Sequence, residues 1–320
     1  MLTTCLINNY NYRPYVAEAV ESALGQTQPF DQILVIDDGS TDGSRQLLAE
    51  QFDSVARVQI IRKQNGGQLS AFNHAIPHVT GDLVFFLDAD DRYRSTYLER
   101  ALACYARTAA DFVVAGFENF GPRAPKPQQA VPDRDLGISV LTSVFAGTWV
   151  GGPTSTLSMR TELAKNILPY PHEAEWRIRA DNVLVYGASV LGARKYRLGA
   201  ALVDRRVHGA NLYFGQNIDR LSSMRNALML NRLFAWYTAK AGYNVADLPR
   251  LLPREFRTLE RPTLKEYRRY LRMSWTTRQT VIARVKQTSS LTAHMLRGSR
   301  NQASSVDADA LAPASRRRAA

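Results

Sequence analysis

Two kinds of apolar spacing alternate along the first 120 residues. Short uninterrupted runs, TCLIN (4–8), QILVIDD (32–38), VQIIR (58–62), DLVFFLD (82–88) and DFVVAG (111–116), read as strands. Between them the apolar residues recur at helical spacing. Val16, Ala19, Val20, Ala23 and Leu24 form one stripe, with Pro14 suited to a first helical position. Leu47, Leu48 and Phe52 mark a second helix, LSAFNHAI a third, and residues 96–108 a fourth. Strands without polar alternation are covered on both faces, which predicts an α/β fold: an open, mostly parallel sheet flanked by helices. In such sheets ligands bind beyond the carboxyl ends of the strands. Asn8, Asn9, Asp37, Asp38, the segment Asn65–Gly67 and the segment Asp88–Asp91 all fall there.

Past Phe120 the pattern loosens. FGPRAPKPQQAVPDRD (120–135) is rich in proline and polar residues and reads as a loop. A helix near 137–146, a strand at TSTLSMR, helices near 161–167 and 180–190, and an extended stretch over 194–211 ending in a turn follow. Residues 219–240 form a broad apolar helix stopped at Gly242, and Thr263-x-x-Glu266 opens another with a capping box. From about Arg297 the composition of Ser, Ala and Arg predicts disorder. The reading divides the chain at 1–120, 121–215, 216–296 (a basic C-terminal helical extension) and 297–320.

Charge changes this picture in one place. The formal net charge is +12, yet from Leu251 onward fifteen Lys/Arg stand against five Asp/Glu, so the rest of the chain is nearly neutral. A basic terminal segment points to a polyanionic surface or acceptor. Around 263–276, Leu264, Tyr267, Leu271 and Trp275 share a helix face among Arg261, Lys265, Arg268, Arg269 and Arg272, as in an interfacial helix on anionic lipid; a packed helix with a solvated charged face has the same pattern. No nucleic-acid recognition module accompanies the charge, so none is expected as a partner. No apolar run approaches a bilayer span, the N-terminus lacks the pattern of a signal peptide, and Cys5 and Cys104 make no disulfide framework; a cytoplasmic location follows as the expectation.

Three short motifs carry candidate chemistry. Asp88-Ala89-Asp90-Asp91 crowds carboxylates after a buried strand. Mg²⁺ or Mn²⁺ takes oxygen ligands from one or two carboxylates plus substrate phosphates, and the same residues also suit an Asp-rich turn in which Asp91 or Ser95 caps the next helix. VIDDGSTDGS places Asp37 and Asp38 at a strand end, where a carboxylate accepts hydrogen bonds from a base or ribose, or simply shapes a turn. RKQNGGQLSAFNHAI (62–76) places a Gly-Gly loop before a helix N-terminus, where backbone N–H groups suit a phosphate or the helix entry simply needs flexible backbone; it is neither a P-loop nor a dinucleotide fingerprint.

Taken together and in order, INNYNYRPYVAEAVESALGQT, ILVIDDGSTDGS, NGGQLSAFNHAI and TGDLVFFLDADD resemble the family 2 glycosyltransferases, closely over residues 3–120 and more loosely to about 215. The resemblance implies a GT-A fold and inverting transfer from a nucleotide-diphosphate sugar, UDP-linked by expectation, to a hydroxyl of a glycan or lipid-linked acceptor. It places Asn9, Asn11, Asp37 and Asp38 around the nucleoside, Asn65 and Gly67 near the nucleotide, and Asn73 in support. It makes Asp88-Ala89-Asp90 the diphosphate and metal motif, with Asp88 nearer the ribose and Asp90 on Mg²⁺ or Mn²⁺. INNYN stands where the family often has Pro-Thr/Ser-Tyr-Asn.

The second half must supply a base for the acceptor hydroxyl. Asp181 resembles the family's acidic residue, although the usual Glu-Asp is Ala180-Asp181 here; an N-cap role is the alternative, and Glu173 and Glu175 lie upstream. RRVHGAN (205–211) resembles a segment that would bring Arg206 to phosphate and His208 to the metal or diphosphate. Trp149 suits a stacking platform for a sugar or a core position. Two rivals are a sugar-nucleotide nucleotidyltransferase, which would carry a glycine-rich loop where INNYNYRPY has none, and an inactive membrane-associated scaffold of the same fold.

Overall fold

The computed structural model describes residues 1–125, 131–208 and 219–310, with 298–310 as backbone alone. The first four apolar runs form β1 (Thr3–Asn9), β2 (Gln32–Asp37), β3 (Val58–Arg62) and β4 (Leu83–Asp88), alternating with α1 (Val16–Leu24), α2 (Ser44–Phe52) and α3 (Gln68–Ala75). A two-residue strand, β5 (Arg92–Tyr93), precedes α4 (Tyr97–Arg107) and β6 (Phe112–Phe120). Then come β7 (Arg134–Gly137), α5 (Val140–Ala146), β8 (Leu157–Arg160), α6 (Thr161–Ile167), α7 (Ala180–Val190) and β9 (Lys195–Arg206). The C-terminal helices are α8 (Arg220–Lys240), α9 (Leu252–Phe256), α10 (Leu264–Thr276) and α11 (Val281–Ala310).

Among the described residues the strands make one sheet, ordered β3-β2-β1-β4-β8-β6-β9-β5, with β7 on β9. Neighbours from β3 to β4 are parallel, whereas β8 runs antiparallel to both β4 and β6. The uninterrupted apolar runs divide by parity. Leu6, Leu34, Ile36, Val84 and Phe86 face a core shared with α3, α6, α7 and α8. Cys5, Ile7, Ile33, Val35, Phe85 and Leu87 face another, covered by α1, α2 and α4. Two covered faces are the reason no polar residue interrupts these strands.

Register then assembles the site. Asn8 sits beside Asp88 and Asn9 beside Asp37, so residues far apart in sequence become neighbours at one sheet edge.

Several expectations need correction. α1 begins at Val16 rather than Pro14, which lies in the preceding turn. Thr154–Thr156 is a 3-10 turn before β8 rather than part of the strand, and the end of the 120–135 loop joins the sheet as β7. α11 continues to Ala310, through much of the segment expected to lack structure; residues 311–320 lie outside the described residues, as does the predicted turn after His208. The Thr263–Glu266 capping box is present. The buried residues of α10 are Tyr270, Met273 and Ser274, while Leu264 and Trp275 are exposed.

A third, smaller core joins the extension to the sheet domain: Leu141 of α5 packs with Leu252, Phe256, Tyr270, Met273 and Leu291. Within it the buried Glu255 accepts hydrogen bonds from Leu141 N (2.7 Å), Thr142 N (3.2 Å) and Tyr270 Oη (2.7 Å), so a carboxylate from α9 caps the N-terminus of α5. Burial pushes its carboxyl up to about 7.

Candidate active site

A cleft of about 860 Å³ opens beyond the carboxyl ends of β1, β2 and β4. Its floor at one end is the loop after β1, tied to the loop after β2. Asn9 Nδ2 donates to Asp37 Oδ1 (2.9 Å) and Ser40 Oγ (3.1 Å). Asn11, in the left-handed region at φ 57°, accepts from Thr41 N at 2.8 Å. Asp37 also takes Arg45 Nε at 2.9 Å and lies beneath the floor, fully buried. Asp38 does line the cleft. Its carboxylate gathers Lys63 Nζ (2.6 Å), Asn65 Nδ2 (3.0 Å), Gly66 N (3.0 Å) and Gly67 N (2.7 Å), and so shapes the Asn-Gly-Gly loop.

Gly67 is required by close approach. Its φ is +95°, and a Cβ would lie 2.4 Å from Arg177 Cα. Directly after it, Gln68 joins the two halves of the molecule. Its Nε2 donates to Asp88 Oδ1 (2.8 Å) and Thr154 Oγ1 (3.2 Å), its Oε1 accepts from Ala180 N (2.9 Å), and its own N–H donates to Arg177 O (2.8 Å).

The acidic turn after β4 divides its work. Asp88, Asp90 and Asp91 all line the cleft. Burial first, then the charges of Asp90 and Asp181, push the Asp88 carboxyl up to about 7, against the Gln68 and Asn8 hydrogen bonds. Asp91 is a brace: its carboxylate accepts from Ser155 Oγ (2.6 Å) and Arg206 N (2.8 Å), while its own N–H closes the turn on Asp88 O (3.0 Å). Ala89, read as a nucleotide contact, is buried among the apolar residues below.

Arg206 and His208 hold the same turn from β9. Arg206 Nε donates to Asp90 O (2.9 Å), and its guanidinium pairs with Glu18 and lies over the rings of Tyr15 and Phe120 at 4.7 and 4.3 Å. His208 Nε2 is 3.1 Å from Asp90 Oδ2, with its ring beside Tyr12 and Tyr15. Arg206 lines the cleft with its guanidinium already engaged, and His208 reaches the site through Asp90.

Asp181 lines the cleft from the first turn of α7, just after Arg179, a non-glycine residue at φ 65°. Burial pushes its carboxyl up to about 6, opposed by Arg179, the Asn182 N–H and Arg205. A carboxylate titrating there is deprotonated at neutral pH yet basic enough to take a proton from a hydroxyl. Of the two alternatives, Glu173 accepts from Ser70 and Asn73, and Glu175 pairs with Arg232; neither lines the cleft. Trp149 does line it and is 39% exposed, so it is no core residue.

Sequence reasoning missed Gln68 and the arginines Arg177, Arg179 and Arg205, which line the same cleft. The arginines had a visible signal, the Arg-x-Arg-x-Asp spacing of RIRAD (177–181). Gln68 had none, because its partners come from three distant segments.

Among the described residues no three His, Cys, Asp or Glu side chains are grouped to hold an ion by themselves. The oxygen donors of Asp88 and Asp90 fit a hard divalent ion that completes its shell with substrate phosphates; burial first, and then the charges of Asp90 and Asp181, hold the Asp88 carboxyl up, and a bound cation would oppose both.

Comparison with known proteins gives a consistent pattern. The model of the family described as "Glycosyl transferase family 2" matches residues 4–139. An uncharacterized glycosyltransferase of Nostoc, alr2836, is 31% identical over 261 residues, covering 79% of this chain and 80% of that protein. A teichuronic acid biosynthesis glycosyltransferase assigned as putative in Bacillus subtilis, TuaG, is 31% identical over 118 residues, 36% of this chain and 46% of that one. Among solved structures, S. aureus TarS 1-349 in complex with UDP is similar in fold, with a TM-score of 0.60, 19% identity, and coverage of 94% of this chain and 92% of that one.

Proposed function

The chain belongs to the family 2 glycosyltransferases, and from that premise we propose that it performs metal-dependent, inverting transfer of a sugar from a UDP-linked donor to a hydroxyl of a glycan or lipid-linked acceptor. One observation carries the reading: the Asp88–Asp90 turn and Asp181 line a single cleft, close enough that the charge of Asp181 acts on Asp88.

In this reading the nucleoside lies toward Asn9, Asn11, Asp38 and Asn65, and the diphosphate toward Asp88 and Asp90. Asp90, with Asp88, would hold Mg²⁺ or Mn²⁺, which supplies Lewis-acid stabilisation of the departing diphosphate. Arg177, Arg179 and Arg205 add positive charge to the same cleft, and His208 orients Asp90. Asp181 takes the proton of the acceptor hydroxyl as it attacks the anomeric carbon. That carbon's bond to the donor phosphate oxygen breaks, and the electron pair leaves with the nucleoside diphosphate. Trp149 offers a stacking face for the acceptor sugar. The UDP complex of the TarS neighbour supports the choice of UDP.

The test is a panel of nucleotide sugars with Mn²⁺ or Mg²⁺, scored for donor turnover, with the product anomer read by NMR. Turnover of a UDP-sugar with inverted configuration is expected. No nucleotide-sugar turnover under any metal, or a retained anomer, overturns the mechanism.

Among the described residues no helix is long and apolar enough to cross a membrane. Exposed Leu264, Trp275, Val281 and Ile282 stand among the exposed Arg268, Arg272 and Arg278, which supports a peripheral seat on anionic lipid. Co-sedimentation with phosphatidylserine vesicles at physiological salt, absent with neutral vesicles, is the expected result.

A further inference from the structure

Beside the cleft, and sharing Trp149 and Gly151 with it, lies a second cavity of about 200 Å³. That is below the roughly 300–1,000 Å³ of a pocket for a drug-sized ligand, and of the right order for one small group. Two of its walls are cationic: Arg197 projects from β9 and Arg269 from α10. No carboxylate is among the residues lining it. The neighbouring ion pairs are spent elsewhere, Arg134 on Glu266 at 2.5 Å and Arg194 on Asp135, and Glu266 also serves the cap of α10. Arg197 and Arg269 form no ion pair among the described residues, and the Nε of Arg197 is buried without a hydrogen-bond partner. A buried donor left unmade is costly, and here it belongs to a side chain whose planar fork suits an oxyanion.

The wall between the cavities is itself fixed. Lys195, buried two residues before Arg197, donates to Val150 O (2.9 Å), Val185 O (2.8 Å) and Ser189 Oγ (2.7 Å), which anchors the Trp149–Gly151 strip from behind.

We propose that this pocket binds a phosphate group carried by the acceptor, held between the guanidinium groups of Arg197 and Arg269 while the acceptor's sugar lies across Trp149. This rests on the transferase reading, since it names the acceptor's chemistry. Two guanidinium groups balance the charge of a phosphate monoester, about −1.5 to −2, where one would suffice for a carboxylate.

The test follows the indole N–H signal of Trp149 by NMR, in the full chain saturated with UDP and Mg²⁺ so that the donor site is filled. The probes are glycerol 3-phosphate, glucuronate and glycerol. Glycerol 3-phosphate should shift the signal saturably and glycerol should not. Arg197→Met and Arg269→Met should each weaken glycerol 3-phosphate binding at least about tenfold, as loss of a charge-assisted pair requires. Arg254→Met, on an exposed position of α9, should leave it unchanged. Glycerol binding as well as its phosphate, or arginine variants that bind like wild type, would overturn the pocket. Glucuronate binding as tightly as the phosphate would overturn the assignment to phosphate. Calorimetry with UDP and Mg²⁺ keeps the two readings apart: a chain that binds no UDP but still gives the Trp149 response counts against the transferase reading and for the anion pocket.

Discussion

The half of the sheet from β3 to β4 and the half from β8 to β9 meet at one cleft, but they reach it by different routes. In the first, strands follow one another in parallel, and each sends its last residue to the same edge; Asn8, Asn9, Asp37 and Asp88 are brought together by register alone. In the second, an antiparallel strand, a 3-10 turn and a helix start with a left-handed residue deliver Thr154, Arg179 and Asp181. The contrast separates the proposed donor surface, set by topology, from the proposed reacting surface, set by a few individual contacts. The first should survive side-chain changes that silence the second.

The largest effects should split along that line. Asp181→Asn removes the proposed base and should lower kcat by about 100- to 10,000-fold while UDP affinity, by calorimetry, stays within about twofold. Asp90→Asn should abolish transfer to a similar degree and also remove the metal-dependent part of UDP binding. Equal loss of UDP affinity in both variants would erase the distinction between the halves.

The joint comes next. Gln68→Ala breaks the side-chain bonds to Asp88, Thr154 and Ala180 at once, and kcat/KM should fall about ten- to a hundredfold through misplacement of Asp88 relative to α7. Circular dichroism should show the fold retained, because Gln68 belongs to none of the three apolar cores.

A smaller, graded effect is expected with pH. The proposed base, Asp181, must be ionised to act, and burial raises its carboxyl to about 6, so kcat/KM should fall about tenfold per unit below about 6 and level off above it. An acid limb that stays near 4 would place the base elsewhere.

The least effect on transfer is expected at Glu255. Its folded pKa is raised to about 7 from an ordinary 4.5, so the folded chain holds a proton that the unfolded chain releases. Its contribution to stability is therefore complete below about 4.5 and is lost as pH rises through about 7. Denaturation across that window should show a slope summing to about 1–3 kcal/mol that Glu255→Gln abolishes, with kcat unchanged.

Legibility in the sequence followed the same division. The runs at 4–8, 32–38, 58–62 and 82–88 announce parallel strands, and the strand ends then point to the cleft without further information. Asp37 and Ala89 show the limit: a residue at a strand end can face down as easily as up, and the alternation that decides it is hidden in an uninterrupted apolar run. β5 escaped notice because two residues carry no period, and its place depends on β9 more than a hundred residues later. The resemblance pointed to Asp181, which does line the cleft, whereas its raised pKa comes from burial that only tertiary packing creates. Gln68 reads as an ordinary first-turn residue until α7 and β4 arrive on either side of it.

The seam at Gly67 and Gln68 has a consequence for recombining such enzymes. A chimera that keeps residues 1–120 and takes its remaining sheet from a relative must present three things at the join: a main-chain carbonyl where Arg177 has one, a free amide where Ala180 has one, and a path for that backbone within van der Waals reach of a glycine α-carbon. None of the three is a side chain. Grafts chosen by matching residue identities would overlook them, and grafts chosen by backbone superposition over these few atoms should keep the donor-side carboxylates in register with a new acceptor specificity.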